Sequence, residues 1–579
     1  MTTPSAEAGA VGRSGLWGVS LGVLGRLPPA LTAPLLAALF VGPLLLVALA
    51  AERATAFFWF ALLADLVLLF AFALATFRRP LLFVSLLVVW FVMQRLVLAL
   101  VAPHVSADVL RLLFTYKEGF YMILLAAAAV GAVFAYSRGE RSLTPIMLAD
   151  VLALALLALL MVNFLLFSAE LSPKLTYARR FAAPLLLYLG GRLLLPDRQQ
   201  LVKGLRLLVL MGLVVALFGL VERFLLDVSF WSDRVDALGF YGRQVEAGLL
   251  PTSFIRPFQG VPEGIFVAFP VDVPVRRLVS TYLEPTTLGA FLALGLLLLV
   301  FVPGLALRQA QGGRGRIVVI AASAVLTLAV VATVSRGAMQ IALIGGGMVL
   351  LLTAGRALRW PWRLESAIIV GGAAILLVAL MITSLSFSQA PNRRQQLQDV
   401  LSARIVSGLE PVPKPPPTEA PLNKGAQAHV NGLTSGLRQM LEDPGGIGLG
   451  TAGAWSEAPE IGSESTVGTL AAQLGVPGLS LWLAFYAAVI GGLVQAGLRL
   501  RREGERLWSD VALVLGAALT GLFVTAWFSE SASGLLGNAF FFLFAGWVLA
   551  VVAPAASGLR FRWLPFDRLG TGSFGGDRV

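Results

Sequence analysis

Apolar residues fill most of this chain in runs of about 20, each bounded by a short polar connection. Wound as a helix at about 1.5 Å per residue, such a run crosses the ~30 Å hydrocarbon core of a bilayer. A window of about 19 residues predicts roughly fourteen spans. Their approximate limits are 31–50, 55–77, 81–102, 118–137, 145–168, 181–196, 205–226, 285–303, 316–334, 337–354, 365–384, 466–496, 508–528 and 536–555. The sixth is short and the twelfth long, which predicts tilting or a break in them. Two polar stretches, 227–284 and 385–465, interrupt the pattern. The expected fold is therefore an all-α polytopic membrane protein with two long loops. Its expected divisions are a tail at 1–30, spans at 31–226, a loop at 227–284, and spans at 285–384. A loop at 385–465, spans at 466–555 and a tail at 556–579 complete the order.

Charge orients these spans. Alternate connections carry Arg78 and Arg79, Arg138 and Arg141, Arg198, Lys203 and Arg206, then Arg308, Arg314 and Arg316. The same side continues with Arg356, Arg359 and Arg363, Arg499 to Arg506, and Arg560, Arg562 and Arg568. Short basic connections stay in the cytoplasm, so both termini are expected there and both long loops outside it. The second loop has its own order. Residues 411–423 are proline-dense and extended. Val430, Leu433, Leu437, Met440 and Leu441 follow at helical spacing until Pro444, which predicts an amphipathic helix at the outer membrane boundary. GGIGLGTAGAW (445–455) reads as a turn, since no Gly-Lys-Ser/Thr follows to make a phosphate loop.

Composition agrees: 58% hydrophobic, 13% charged, and a mean hydropathy of +0.84. The net charge of +12 is read as cytoplasmic retention rather than nucleic-acid binding. The chain has no cysteine and two histidines, which excludes disulfides and thiolate chemistry and argues against a multi-histidine metal site. No metal or cofactor is expected.

The candidate chemistry lies beside the long loops. Arg336 occupies a turn too short to leave the membrane edge, on the side where arginine is not retained. It either snorkels to headgroups or faces an anion. Arg277 closes the first loop as an exposed cation or as a second anion ligand. Glu464, at the entry to the twelfth span, is either part of a helix cap with Ser463 or Ser465, or an acid/base residue. Arg95 is a charge inside a span, expected to line a cavity or to pair with Asp65 or Asp150. Arg438 falls on the polar face of the amphipathic helix, and His429 is expected at the surface.

Ordered motifs carry a resemblance. The first loop ends in RLVSTYLEPTTLGA (Arg277 to Ala290), and Ser335-Arg336-Gly337 follows at a helix end. Then come Arg438, Pro444, Gly448 and Gly450, and Leu474-Gly475-Val476-Pro477-Gly478. In this order, over about residues 175–490, the chain resembles the bacterial O-antigen ligase and O-antigen polymerase superfamily. The resemblance implies a GT-C-like, metal-independent glycosyl transfer at the periplasmic face of the bacterial inner membrane. The implied donor and acceptor are oligosaccharides on polyprenyl diphosphate, with a chain-length regulator as a further partner. It implies catalytic roles for Arg277, Arg336 and Glu464, and substrate binding by Arg276, Ser280, Ser335, Arg438 and Arg179. Ligases of the superfamily carry a histidine shortly before the last of these spans, where this chain has Ser463-Glu464-Ser465. That departure favours a polymerase, joining lipid-linked repeats, over a ligase; a flippase for the same lipids is the reading from another class.

Overall fold

The computed structural model describes residues 80–110, 145–247, 275–302, 313–357, 424–454, 461–529 and 535–552, with short gaps. It also describes residues 304–305, isolated helical residues between 113 and 133, and short segments between 250 and 268. The spans expected at 31–50, 55–77 and 365–384, and most of 118–137, lie outside the described residues.

Thirteen helices organise the described chain. They are α1 (Pro80–Val101), α2 (Leu148–Leu166), α3 (Leu171–Leu193), α4 (Arg198–Leu225), α5 (Ser229–Asp233), α6 (Ala237–Glu246) and α7 (Pro285–Phe301). After them come α8 (Gly313–Ala332), α9 (Arg336–Ala357), α10 (Lys424–Glu442), α11 (Thr466–Arg502), α12 (Arg506–Phe528) and α13 (Leu535–Val552). Six of the described helices are long and apolar enough to cross a membrane, while α7, the Ile317–Ala332 part of α8 and the Phe540–Val552 part of α13 are shorter apolar ones. The protein is a mostly helical membrane protein. Two antiparallel two-residue pairings in the first loop, Pro257–Phe258 with Val261–Pro262 and Val267–Ala268 with Val275–Arg276, are small exceptions to an all-α reading.

Helix α7 is the axis of the bundle. It is apolar all round, as a helix enclosed on every side must be, and residues 287–300 are buried. Its neighbours are α4, α8, α9, α12 and α13. Contacts sort the helix ends into two groups. At one end, Arg198 pairs with Glu505 at 2.6 Å, Arg206 donates to the Leu305 carbonyl, and Arg501 donates to that of Leu352. At the other, Arg95 pairs with Glu284, Arg277 donates to Thr333, and Ser465 donates to Trp527. The candidate residues of both long loops therefore gather at the second end.

Two elements differ from the hydropathy reading. Helix α3 begins ten residues before the expected 181–196 span, because Lys174, Arg179 and Arg180 dilute the apolar signal of its first turns. Lys174 is nevertheless buried, with its ammonium donating to the Phe167 carbonyl and lying 5.5 Å from the Phe164 ring. Of the two aspartates considered for Arg95, Asp150 is bound by Arg192 at 3.0 Å and Asp65 lies outside the described residues; the ion pair seen is with Glu284.

The long twelfth span is broken, at Gly475 (φ 62°, ψ −158°). Pro477 has no N–H to donate and the backbone exchanges partners there. The Val476 N–H leaves the helix to reach the Pro444 carbonyl at 2.9 Å. The carbonyls freed at Ala472 and Gln473 accept from Ile447 (3.0 Å) and Gly448 (3.1 Å) of the glycine-rich turn. Gly446, at φ +85°, lies against the Gln473 carbonyl and the Gly475 N–H, where a Cβ has no room. The amphipathic helix is present as α10, beginning at Lys424 and packed onto α11 with Leu433, Leu437 and Met440 inward.

Gly446→Ala is expected to cost about 1–2 kcal/mol for the left-handed backbone alone, and more through the clash. Thermal melting in detergent should show a clear loss for that variant. Gly445→Ala, whose Cβ meets nothing within 4 Å, should melt like the parent.

Candidate functional site

The first motif is built on a buried carboxylate. Glu222, near the end of α4, is fully buried and accepts from Trp231 Nε1 (2.9 Å), Arg276 Nη2 (2.8 Å) and the backbone N–H groups of Val279 (3.4 Å) and Ser280 (3.5 Å). Arg276 also donates to the carbonyls of Leu226 and Asp227, so its guanidinium is engaged inside the protein. Ser280 is buried with its hydroxyl donating to Val215 O at 2.9 Å. The Tyr241 hydroxyl, on α6, donates to the Leu283 carbonyl. Burial raises the Tyr241 pKa, an effect that nearby Arg95 opposes and Glu284 reinforces. These bonds fold residues 275–284 back over the end of α4.

Arg277 is held by the next turn along. Its own N–H donates to Phe266 O (2.7 Å), and its guanidinium donates to Thr333 O (3.0 Å) and Val334 O (3.4 Å). The neighbouring Leu278 N–H donates to Ala332 O at 2.9 Å. A cation on the last carbonyls of α8 satisfies groups that the helix leaves open and complements its dipole. Burial lowers the Arg277 pKa to about 10; Glu284 works against that shift and Arg336 adds to it. Arg277 thus stays charged near neutral pH while lying within electrostatic reach of both. Ser335 caps α9, its buried hydroxyl accepting from the Ala338 N–H at 3.3 Å. Arg336, the first residue of α9, is exposed.

The second loop reaches the same end of the bundle through α12. Ser465 caps α11 by accepting from Gly468 N–H (3.0 Å) and donates to Trp527 O (2.8 Å); Thr466 donates to Ser529 O (2.8 Å). One turn earlier on α12, Thr525 donates to the Gly337 carbonyl at 3.5 Å. The last turns of α12 thereby touch both the Arg336 turn and the Glu464 turn. Glu464 is just over half exposed, so the serine cap leaves its carboxylate accessible. His429 is not a detached surface residue: Nδ1 lies 3.0 Å from the Glu464 carbonyl oxygen and 3.5 Å from its carboxylate. Gly436 of α10 and Gly468 of α11 meet backbone to backbone, which brings the histidine this close.

Backbone strain marks the same places. Among the described residues the non-glycine residues at positive φ are Asp236, Ser280, Leu283, Val334 and Glu464. The last four all lie in the three motif turns. Each such residue costs on the order of 1–3 kcal/mol and persists where surrounding contacts over-determine it.

Glu284 was not singled out in the sequence, and it belongs to this group. It ion-pairs with Arg95 at 2.5 Å, each side chain about a quarter exposed, and accepts from the hydroxyls of Thr286 and Thr287 at 2.8 Å each. Burial pushes its pKa up, but Arg95, then the two threonines and Arg180, outweigh it and leave the pKa below the usual carboxylate value. The Glu-Pro-Thr-Thr order at a helix start was the available signal. Arg438 stands apart, largely exposed and paired with Glu442 at 2.9 Å along its own helix. Arg179 is half-buried on α3, beside Arg180, whose guanidinium lies 6.0 Å from the Tyr177 ring. Among the described residues no group of three His, Asp or Glu side chains is placed to hold a metal ion.

No family model matches the chain, and no curated protein is similar to it.

Glu222→Ala removes the acceptor for a buried guanidinium, an indole and two amides. A loss of about 3–5 kcal/mol is expected, as when one partner of a buried ion pair is deleted. Limited proteolysis should cut between 229 and 283 in that variant; a loop as resistant as the parent's would rule out the anchoring role.

Proposed function

We propose that the protein is a polysaccharide polymerase of the bacterial inner membrane, joining oligosaccharide repeats carried on polyprenyl diphosphate. One observation carries this reading most: the exposed Arg336 turn and the Glu464–His429 turn are both tied to the last turns of α12, with Arg277 bound to the carbonyls beside Arg336. Cationic and proton-accepting groups at adjacent turns are what transfer from a diphosphate to a hydroxyl requires. In this mechanism the bond between the donor sugar's anomeric carbon and the diphosphate breaks, and its electron pair leaves with the lipid diphosphate. Arg336 stabilises the charge that develops on those oxygens. Arg277, engaged with Thr333 and Val334, acts chiefly by fixing the turn and adding positive potential. The acceptor hydroxyl closes on the anomeric carbon and gives its proton to the Glu464 carboxylate. Apolar helix surfaces hold the prenyl tails, and the reaction faces the periplasm on a GT-C-like scaffold of about fourteen spans, with both termini cytoplasmic. A chain-length regulator is the expected protein partner.

A ligase is the second reading. The imidazole beside Glu464 favours it, since it places a histidine at the entry to α11 that the order of residues alone does not. A ligase would pass finished polymer to lipid A core or another acceptor outside the carrier pool.

Deleting the gene separates the readings. Single repeats accumulating on the carrier without polymer indicate a polymerase; long polymer stranded on the carrier indicates a ligase. Repeats trapped on the cytoplasmic face point to a flippase, and an unchanged pool overturns all three. In the purified protein, Arg336→Ala is expected to lower turnover by about 10²-fold or more while lipid-linked sugar still binds. Full activity of that variant removes Arg336 from the mechanism. Topology is tested on this cysteine-free chain with single cysteines at 438 and 503, which should react with impermeant thiol reagents from opposite sides.

A further inference from the structure

We infer that Glu284 is the carboxylate that faces the donor sugar and balances the positive charge arising on its ring as the bond to the diphosphate breaks. The inference rests on the glycosyl-transfer reading above and names a group that this reading does not use.

Three of the described carboxylates at the motif end bear on the motif turns, and their surroundings differ. Glu222 has no exposure and four donors directed at it, so it cannot reach a ligand. Glu464 is open and contacts a histidine, as a proton acceptor would. Glu284 is intermediate, a quarter exposed and fixed by Arg95, Thr286 and Thr287. A carboxylate committed to three donors is a poor base. It is well suited to remain a fixed negative charge.

Its position matters as much as its state. Glu284 immediately precedes α7, and Gly289, five residues on, packs directly on Ala338, Thr333 and Ser335 of the Arg336 turn. Five helical residues advance about 7.5 Å, so Glu284 lies near the cations rather than on them. Glu284 and Arg336 both act electrostatically on Arg277. Beside Glu284 in the chain, the Thr281 hydroxyl is buried without a hydrogen-bond partner, a further polar group at this turn. A negative charge next to an anion-binding site weakens anion binding, which makes little sense if binding is the only task. It makes sense for a transition state in which charge separates. Glycosyl transfer passes through an oxocarbenium-like ring, positive at the anomeric centre, while the leaving oxygens become more negative. Arg336 meets one pole and Glu284 the other. The new bond forms from the acceptor oxygen to the anomeric carbon, the old bond's electrons leave on the diphosphate, and the acceptor proton goes to the Glu464 carboxylate. Glu284 exchanges no proton and forms no bond.

The test uses Glu284→Gln in the full-length protein, with lipid-diphosphate-linked repeats as substrate and two probes. One probe is a cationic iminosugar that mimics the charged ring; the other is the uncharged sugar of the same shape. Turnover is expected to fall about 10²-fold with KM little changed, the scale seen when one electrostatic contact to a transition state is lost. The iminosugar should lose more than tenfold in affinity while the neutral analogue binds as before. Equal loss of both probes, or undiminished turnover, overturns the inference. If Glu284→Gln folds poorly, the Arg95→Gln/Glu284→Gln double variant removes the guanidinium charge that Glu284 balances. Recovered melting temperature with turnover still low supports the inference, and recovered turnover makes the pair purely structural. A parent protein that does not transfer sugar at all refutes the polymerase and ligase readings instead, a result distinct from any of these.

Discussion

The arrangement of the motif end depends on a charge that water never touches. Glu222 has no exposed surface, and an isolated carboxylate there would cost several kcal/mol. Its cost is offset only because Trp231, Arg276 and the amides of Val279 and Ser280 all point at it. Satisfying one side chain on α4 therefore determines where the first loop begins, where it returns, and how it enters the last residues before α7. Arg277 and Glu284 inherit their positions from that return. Ser280 and Leu283 can hold left-handed backbone because the chain on either side of them is pinned.

Helix α7 transmits this placement. A helix buried on every face has few ways to slide, so whatever its N-terminus carries is located to within the tolerance of a packed core. The turn between α8 and α9 packs on its second turn, and α12 packs on α9 and α11. Elements more than 100 residues apart in the chain thus share one frame.

Much of the frame could be read from hydropathy, because a span must be apolar whatever its neighbours are. Ten of the spans expected have described helices at corresponding positions, and the break in the twelfth was foreshadowed by its length. The start of α3 was not legible, since Lys174, Arg179 and Arg180 look like a loop until their partners are known. The site was legible as a set of arginines near one face but not in its division of labour. Arg276 and Arg277 are adjacent and of the same type, yet one neutralises Glu222 and the other caps α8. Only tertiary contacts distinguish them. His429 and Glu464 are 35 positions apart and meet because two glycines let α10 and α11 touch, a steric fact with no periodic signature. Glu284 reads as an ordinary residue before a helix until Arg95 is found against it.

The exchange of backbone partners at Gly475 changes how the second loop is joined to the bundle. The carbonyls of Ala472 and Gln473 are bonded to the glycine-rich turn where an unbroken helix would bond them to residues after 475. The short piece 466–474 is thus fastened to the loop at its far end and to the end of α12 at Thr466, and Gly475 joins it to the long remainder of α11. A displacement of the loop would therefore be carried through the Ser465–Trp527 and Thr466–Ser529 bonds into the end of α12, and from Thr525 to the Gly337 carbonyl beside Arg336. The Glu464 turn and the Arg336 turn are thus coupled through α12 and cannot move independently.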